Sequence, residues 1–572
     1  MTSPSTTMQA SDVVLSGTTN IDALISGTKW GGVTGQGVTI TYSFPWTSSS
    51  SATFSAPSSS SSYSTLGEPT AAYHFGLDDT QQAAARLALE AWSHVANVTF
   101  QEVSESSTNV GDIRFAWTSA NMSTSSSEQA WGWAGYPDDY WPSGGDIWIA
   151  YGTQNGADTD PDWAAGNYNY MALIHELGHA LGLKHSFEDS PVLPASLEST
   201  QYTVMSYTEI ENNLFRDVIP TNGSYSFEFS SIYPDTPMVL DIAAIQYLYG
   251  ANMTYRTGDD VYTYDPATPF FRTLWDAGGE DTISASNFST DCRIDLTPGS
   301  YSTLRIVSDP LPSGYTGGST PTYDGTKNLG IAYDCTIENA TGGSGNDTLV
   351  GNEANNELRG GAGVDTLSGG SGRDTLYGDA GNDLIYGGAQ TDIACYSGSH
   401  GSYQISTGTS GKLTVTDNRG ASSEGTDTLS DIERLGFSDV RVAFDLDGNA
   451  GNVAKILGAV FGADSVHNVD YVAIGLNMLD DGTSYSDLVA QALELRLGTG
   501  YSDADEIDLL YWNLLGTHAN AGDLQYWGHA LSTGQFTQAS LAEMACDTDL
   551  NTSNIDLASL FVTGLDYAVS IG

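Results

Sequence analysis

The sequence predicts an α+β chain in three parts: strands and helices gathered around one histidine-bearing helix, then a parallel β-roll, then a helical module. Three observations carry this. Met171 to His185 reads Met-Ala-Leu-Ile-His-Glu-Leu-Gly-His-Ala-Leu-Gly-Leu-Lys-His, a nine-residue unit repeats from Gly342 onward, and beyond Asn452 apolar residues recur at helical spacing. At 572 residues the chain exceeds what one hydrophobic core organises. We expect a leader over 1–27, a strand-and-helix domain over 28–236, a linking helix and roll over 237–450, and the helical module over 451–572.

His175 and His179 are four apart, so on a helix both imidazoles project from one face and can share a metal ion. Glu176 sits beside the first histidine, Gly182 can end the helix sharply, and His185 can swing back as a third nitrogen ligand. An isolated His-x-x-x-His pair is more often two surface histidines. The extended pattern points instead to one tetrahedral zinc with an open position, where a water has its pKa lowered to roughly 7. That is the chemistry of a hydrolytic centre.

Further along, the chain reads Thr203-Val-Met-Ser-Tyr207. With the zinc motif, this resembles the metzincin zinc endopeptidases, and the Met-Ser-Tyr form looks like the serralysin branch, which carries a calcium-binding RTX repeat domain. The resemblance implies a metzincin-type protease domain in which Met205 forms a hydrophobic floor under the zinc. Glu176 would be the general base, and Tyr207 a phenol that approaches the metal or swings to substrate. It also implies that the strand matching 130–136, with Trp131, Gly132, Trp133 and Ala134, is an exposed edge onto which substrate backbone adds; an aromatic-rich core strand is the competing reading. Serralysins usually have Pro after the third histidine, where this chain has Ser186.

Lys plus Arg number 18 against 70 Asp plus Glu, a formal charge of −52. Such a chain repels nucleic acid and anionic membranes and favours cations, calcium first. There is no basic n-region with an apolar core at the start, and no apolar run of about 18 residues, so neither a Sec signal nor a membrane span is expected. Cys292, Cys335, Cys395 and Cys546 are scattered; they can pair or stay as buried thiols.

Element by element, Gly37–Phe44 alternates as a half-buried strand, and Thr47 to Ser64 is Ser-rich and reads as a flexible surface loop. Asp79 to Val95 reads as an amphipathic helix with acidic residues at its start. Strands are expected at Val98–Val103, Asp112–Trp117, Trp131–Pro137 and Asp146–Tyr151. Pro237 to Asn252 has helical periodicity and resembles the helix joining protease to repeats in serralysins. After it, Arg256-Thr-Gly-Asp-Asp260 and Asp276-Ala-Gly-Gly-Glu-Asp281 match stretches that share a calcium in that family. Arg256, Gly258, Asp260, Asp276, Gly278 and Asp281 would supply its oxygen donors.

In the repeat, glycines make the turns, sixth-position Asp347, Asp365, Asp374, Asp383 and Asp392 supply carboxylates, and Leu349, Leu358, Leu367, Leu376 and Ile385 point inward. Gly343, Gly345, Gly361, Gly363, Gly370, Gly372 and Gly381 complete the expected calcium donors through their carbonyls. The second unit has Asn352 and Asn356 at key positions and the sixth has Gln390 and Ala394, so these two turns are expected to bind weakly or not at all. Strand-like Lys412–Thr416 and Thr426–Phe437 resemble strands that cap the roll. Helices are expected at Val453–Phe461, Tyr485–Leu497 and Glu506–Leu515.

Taken together, the resemblance implies a secreted endopeptidase acting on protein or peptide substrates, with one catalytic Zn2+ and several structural Ca2+ ions. Export would pass through a type I transporter. The helical module would serve export, surface attachment, substrate docking or capping. The alternative is a calcium-dependent surface or matrix adhesion protein whose protease-like domain only binds.

Overall fold

The computed structural model describes residues 8–47, 52–55, 62–106, 109–120, 130–138, 141–152, 161–222, 224–317, 320–408 and 412–569. Two compact units emerge, one holding the chain to Asn287 with Cys292–Ile337, the other Phe288–Asp291 with Glu338 onward. The fold is the expected mixture of helices and strands, with a strand-and-helix region around the histidine-bearing helix, parallel roll strands and carboxyl-terminal helices. Among the described residues, no helix is long and apolar enough to cross a membrane.

In the first unit, β1 (Val38–Ser43), α1 (Asp79–Val95), β2 (Val98–Glu102), β3 (Ile113–Thr118), β4 (Gly132–Ala134), β5 (Ile147–Ala150) and α2 (Tyr168–Leu181) follow in order. Five strands of the sheet run β2-β1-β3-β5-β4, parallel except for β4, which lies antiparallel on β5 with Trp133 opposite Trp148, and His74–Gly76 also pairs antiparallel with β3. Among the described residues β4 ends this run, and it keeps only three residues of the seven-residue stretch read as strand. A reciprocal cap starts α1: Asp78 Oδ1 accepts the Gln81 N–H at 2.9 Å while Gln81 Oε1 accepts the Asp78 N–H at 3.0 Å.

α2 is apolar nearly all round and buried over almost its full length, because other elements cover every face. Trp92 of α1 donates its indole N–H to the Ile174 carbonyl at 3.2 Å. At the far end, α3 (Val239–Tyr249) sends the Tyr249 hydroxyl to the Leu181 carbonyl at 2.8 Å, and Trp30 donates to the Ala180 carbonyl at 2.8 Å. These bonds satisfy carbonyls that a helix end leaves open. Gly182 then turns the chain at φ +105°, where an added Cβ would strike the Thr28 carbonyl.

Two stretches are held more firmly than their composition suggests. The 1–27 stretch, expected as a leader or short propeptide, is packed against the rest of the first unit over its described part. Ala10–Asp12 pairs antiparallel with Thr28–Trp30, Ala23 and Leu24 are fully buried, and the Leu24 carbonyl accepts the Lys184 N–H at 2.7 Å. Its apolar Ile21-Asp-Ala-Leu-Ile25 core is what the 3.6-residue pattern of a domain, not a tail, requires. The Ser-rich stretch is likewise anchored where it is described, because aromatics interrupt the serines. Phe54 lies 3.7 Å under the Arg114 guanidinium, and buried Tyr63 donates to Asp146 Oδ2 at 2.6 Å. Its remaining residues, 48–51 and 56–61, lie outside the described residues.

The first unit also contains a hairpin the pattern did not announce, Leu214–Thr221 with Ser224–Ser231. All four cysteines are described and none forms a disulfide. In the second unit the strands alternate between two parallel sheets. Asn339–Thr341, Glu357–Ala362, Thr375–Ala380 and Ile393–Cys395 stack in one, and Thr348–Val350, Thr366–Ser371 and Leu384–Ala389 in the other. Leu349, Leu358, Leu367, Leu376 and Ile385 are at most 1% exposed between them. Each such burial is worth roughly 1.5–3 kcal/mol. The helices begin at Asn449–Ile456 and include Tyr485–Leu497 and Asp503–Leu515, and the chain returns as Leu565–Tyr567, antiparallel to Arg441–Ala443.

Candidate metal centre and active site

α2 and the turn after Gly182 bring His175, His179 and His185 together, with one nitrogen of each within 4.8 Å of the others. The Nδ1 atoms of His175 and His179 are already engaged by backbone carbonyls. His175 donates to the Val204 carbonyl at 2.6 Å, His179 to the Leu183 carbonyl at 2.8 Å, and His185 Nδ1 lies 2.9 Å from Glu188 Oε2. A ring nitrogen facing a carbonyl must carry the proton, so Nε2 of His175 and of His179 present bare lone pairs. His179 Nε2 stands 3.1 Å from His185 Nε2. Lone pairs crowded this way repel unless an electrophile lies between them, and three neutral imidazoles with oriented Nδ1 atoms are the donor set of zinc. The residues fit the ion. Burial also holds His175 neutral, lowering its pKa to about 4, and drives His179 further down.

Glu176 is buried on the same helix, facing the N–H of Ala134 in the edge strand, and burial pushes its carboxyl up to about 8. Met205 is fully buried, with its Sδ 2.6 Å from where a Cβ on Gly178 would stand. That contact explains the glycine inside the motif. Tyr207 is exposed, and its hydroxyl lies 2.8 Å from His185 Nε2. Trp131 is buried and donates to Asn169 Oδ1 at 2.8 Å, and half-buried Trp133 donates to Glu68 Oε1 at 3.1 Å. The indoles anchor β4 while its outer main chain stays unpaired by any described strand.

Sequence reading missed the groups that orient this centre. Asp241 of α3 is fully buried and accepts from Thr203 Oγ1 at 2.5 Å, the Val204 N–H at 2.8 Å and the Met238 N–H at 2.8 Å. It holds the N–H of Val204, the residue whose carbonyl orients His175, and burial pushes its carboxyl up to about 7. The signal was present: one acid in an otherwise apolar helix. Phe187 stacks flat on His185 at 5.1 Å, and Tyr136 meets His179 edge-on at 5.6 Å.

Carboxylate oxygens of Asp260, Asp276 and Asp281 lie within 4.8 Å of one another. Asp281 Oδ1 accepts the Asp260 N–H at 2.8 Å, Asp276 Oδ1 accepts the Gly278 N–H at 2.9 Å, and Gly258 lies against Gly279. The Arg256 carbonyl accepts from Ala277 N–H at 3.2 Å, and its guanidinium is 3.4 Å from Asp260.

In the roll, Asp365 Oδ1 accepts the Asp347 N–H at 2.7 Å, Asp383 Oδ1 that of Asp365 at 2.8 Å, and Asp392 Oδ1 that of Asp374 at 2.9 Å. Oδ2 of Asp365, Asp374, Asp383 and Asp392 is buried with no partner. Burial raises these carboxyls, to about 7 for Asp365 and Asp392 and about 6 for Asp374 and Asp383. Gly361 and Gly363 lie against the carbonyls of Gly343 and Gly345, Gly370 and Gly372 against those of Asn352 and Ala354, and Gly381 against that of Gly363. Stranded hard oxygens beside ranked carbonyls fit calcium.

Residues 70–211 match the matrixin family of M10 peptidases, 246–309 the serralysin carboxyl-terminal family, and 341–376 and 360–394 the RTX calcium-binding nonapeptide repeat. The chain is 37% identical over 351 residues to serralysin B of Dickeya chrysanthemi, covering 56% of this chain and 61% of that one. It is 34% identical over 353 residues to a serralysin of Proteus mirabilis, covering 56% and 62%. With metalloprotease AprA of Pseudomonas entomophila it shares 34% over 294 residues, covering 48% and 53%. The alignments thus span about three fifths or less of these curated relatives. Segments similar to a matrixin-type peptidase, a serralysin carboxyl-terminal region and RTX calcium-binding repeats follow one another here, and over about half its length the chain is similar to the serralysins.

Proposed function

We propose that the chain is a secreted zinc-dependent endopeptidase that hydrolyses peptide bonds of extracellular or surface proteins. The observation that carries this reading is the convergence of three imidazole lone pairs beside buried Glu176, which itself faces the open strand β4. Zinc held by His175, His179 and His185 supplies Lewis acidity, polarising a peptide carbonyl and making a water more acidic. Substrate backbone adds antiparallel along the free edge of β4, so main-chain hydrogen bonds carry the scissile peptide to Glu176. Glu176 takes a proton from the attacking water and returns it to the leaving amine. Tyr207 leaves His185 and donates its phenolic hydrogen to the developing oxyanion.

The roll ties activity to location. Its stranded carboxylates stay apart in a low-calcium cytosol, and calcium outside drives closure by binding only the folded form. This supports release through a type I transporter, with the helical module as a surface or substrate attachment.

The test is casein hydrolysis in calcium by the wild type and by Glu176→Gln. The variant should lose about 10²–10⁴-fold in turnover with zinc content unchanged. Normal cleavage by the variant would defeat the proposal, and a wild type that binds zinc without cleaving would favour the adhesion reading.

A further inference from the structure

The two irregular repeats are not alike. The sixth keeps the pattern of its neighbours: Asp392 pairs one oxygen with the Asp374 N–H and leaves the other bare. The second inverts it. Asp365, Asp374, Asp383 and Asp392 each turn Oδ1 to the N–H of the residue eighteen before, but Asn356 finds a carbonyl there and donates Nδ2 to Glu338 O at 2.7 Å. The same NH₂ group reaches Asn352 Oδ1 at 3.1 Å, and Asn356 Oδ1 accepts the Asn352 N–H at 2.8 Å. Oδ1 sits against Gly351 as the aspartate Oδ2 atoms sit against Gly360, Gly369, Gly378 and Gly387. Asn356 is 2% exposed, so this replaces a stranded buried oxygen with a satisfied one.

We propose that the Asn352–Asn356 turn is closed by its own side-chain amides and takes no calcium, unlike the turns that follow, although the RTX family implies calcium along the repeat. A carboxylate at position 356 would set an oxygen against the Glu338 carbonyl, two acceptors that only a cation or a proton reconciles. The amide thus seals the first turn of that sheet before any ion arrives.

The experiment is calcium stoichiometry of the full chain by equilibrium dialysis and elemental analysis, with calcium-titrated circular dichroism as a readout independent of proteolysis. Asn356→Asp should bind one more calcium per chain than wild type and need several-fold more calcium to reach half-maximal folding. Asn356→Ala should leave the count unchanged, and Asp374→Asn should lower it. An Asn356→Asp chain with an unchanged count, or one that fails to fold at saturating calcium, overturns the proposal. So does a lowered count in Asn356→Ala.

Discussion

At the histidine centre the Nδ1 atoms of His175 and His179 are each held by a backbone carbonyl, whereas in the roll each aspartate from Asp365 to Asp392 has one oxygen held and one left bare. The first arrangement is built by the protein and waits for its ion. The second is completed by the ion. The difference follows from what lies around each set: two of the three imidazoles sit on a helix locked by Trp92, Trp30 and Tyr249, while the roll is held by nine-residue turns that bring like charges into line.

The largest expected effect breaks the two apart. Stripping calcium should abolish protection of the Leu349–Ile385 amides in hydrogen exchange, while amides of Tyr168–Leu181 stay protected after zinc removal. Equal loss in both regions would erase the distinction. Next, Asp241→Ala leaves three buried donors without an acceptor and should cost about 3 kcal/mol, read as a lowered melting temperature by calorimetry in saturating calcium. Smaller is Gly178→Ala, whose Cβ would meet Met205 Sδ at 2.6 Å and should cost about 1–3 kcal/mol by overpacking. Denaturant unfolding measures it.

The smallest effect is a pH dependence confined to the calcium-free roll. Its aspartates have pKa values raised to about 6 or 7 when folded, above the unfolded value of roughly 3.9. The folded state then binds more protons, so this stability is full below about pH 4 and is lost as pH rises through 6 to 7. Circular dichroism in calcium-stripped buffer should show more roll structure at pH 5 than at pH 8. The opposite order would show that these carboxyls are already stabilised as anions.

What was legible in the sequence is what short-range spacing dictates. The four-residue spacing of His175 and His179 places both on one face, and a strict nine-residue register places Leu349 to Ile385 inside. Gly182 and α1 were readable for the same reason, and α1 matches its expected limits of Asp79 and Val95. What escaped depends on residues far apart in the chain. Nothing local says that Asp241 reaches Val204, that Leu24 receives Lys184, or that the carbonyl beneath Asn356 belongs to Glu338. The Ser-rich stretch misled because composition averages over Phe54 and Tyr63, the two side chains that decide where it lies.

The alternation of roll strands between two sheets also constrains how such a chain can change in length. Like partners stand eighteen residues apart, Thr348 beside Thr366 and Leu358 beside Leu376. A duplication of one nonapeptide would carry every later strand across to the opposite wall, stranding the capping segments on the wrong side. Insertion of a single nonapeptide should therefore disrupt the roll, whereas insertion of a pair should keep every later strand on its own wall.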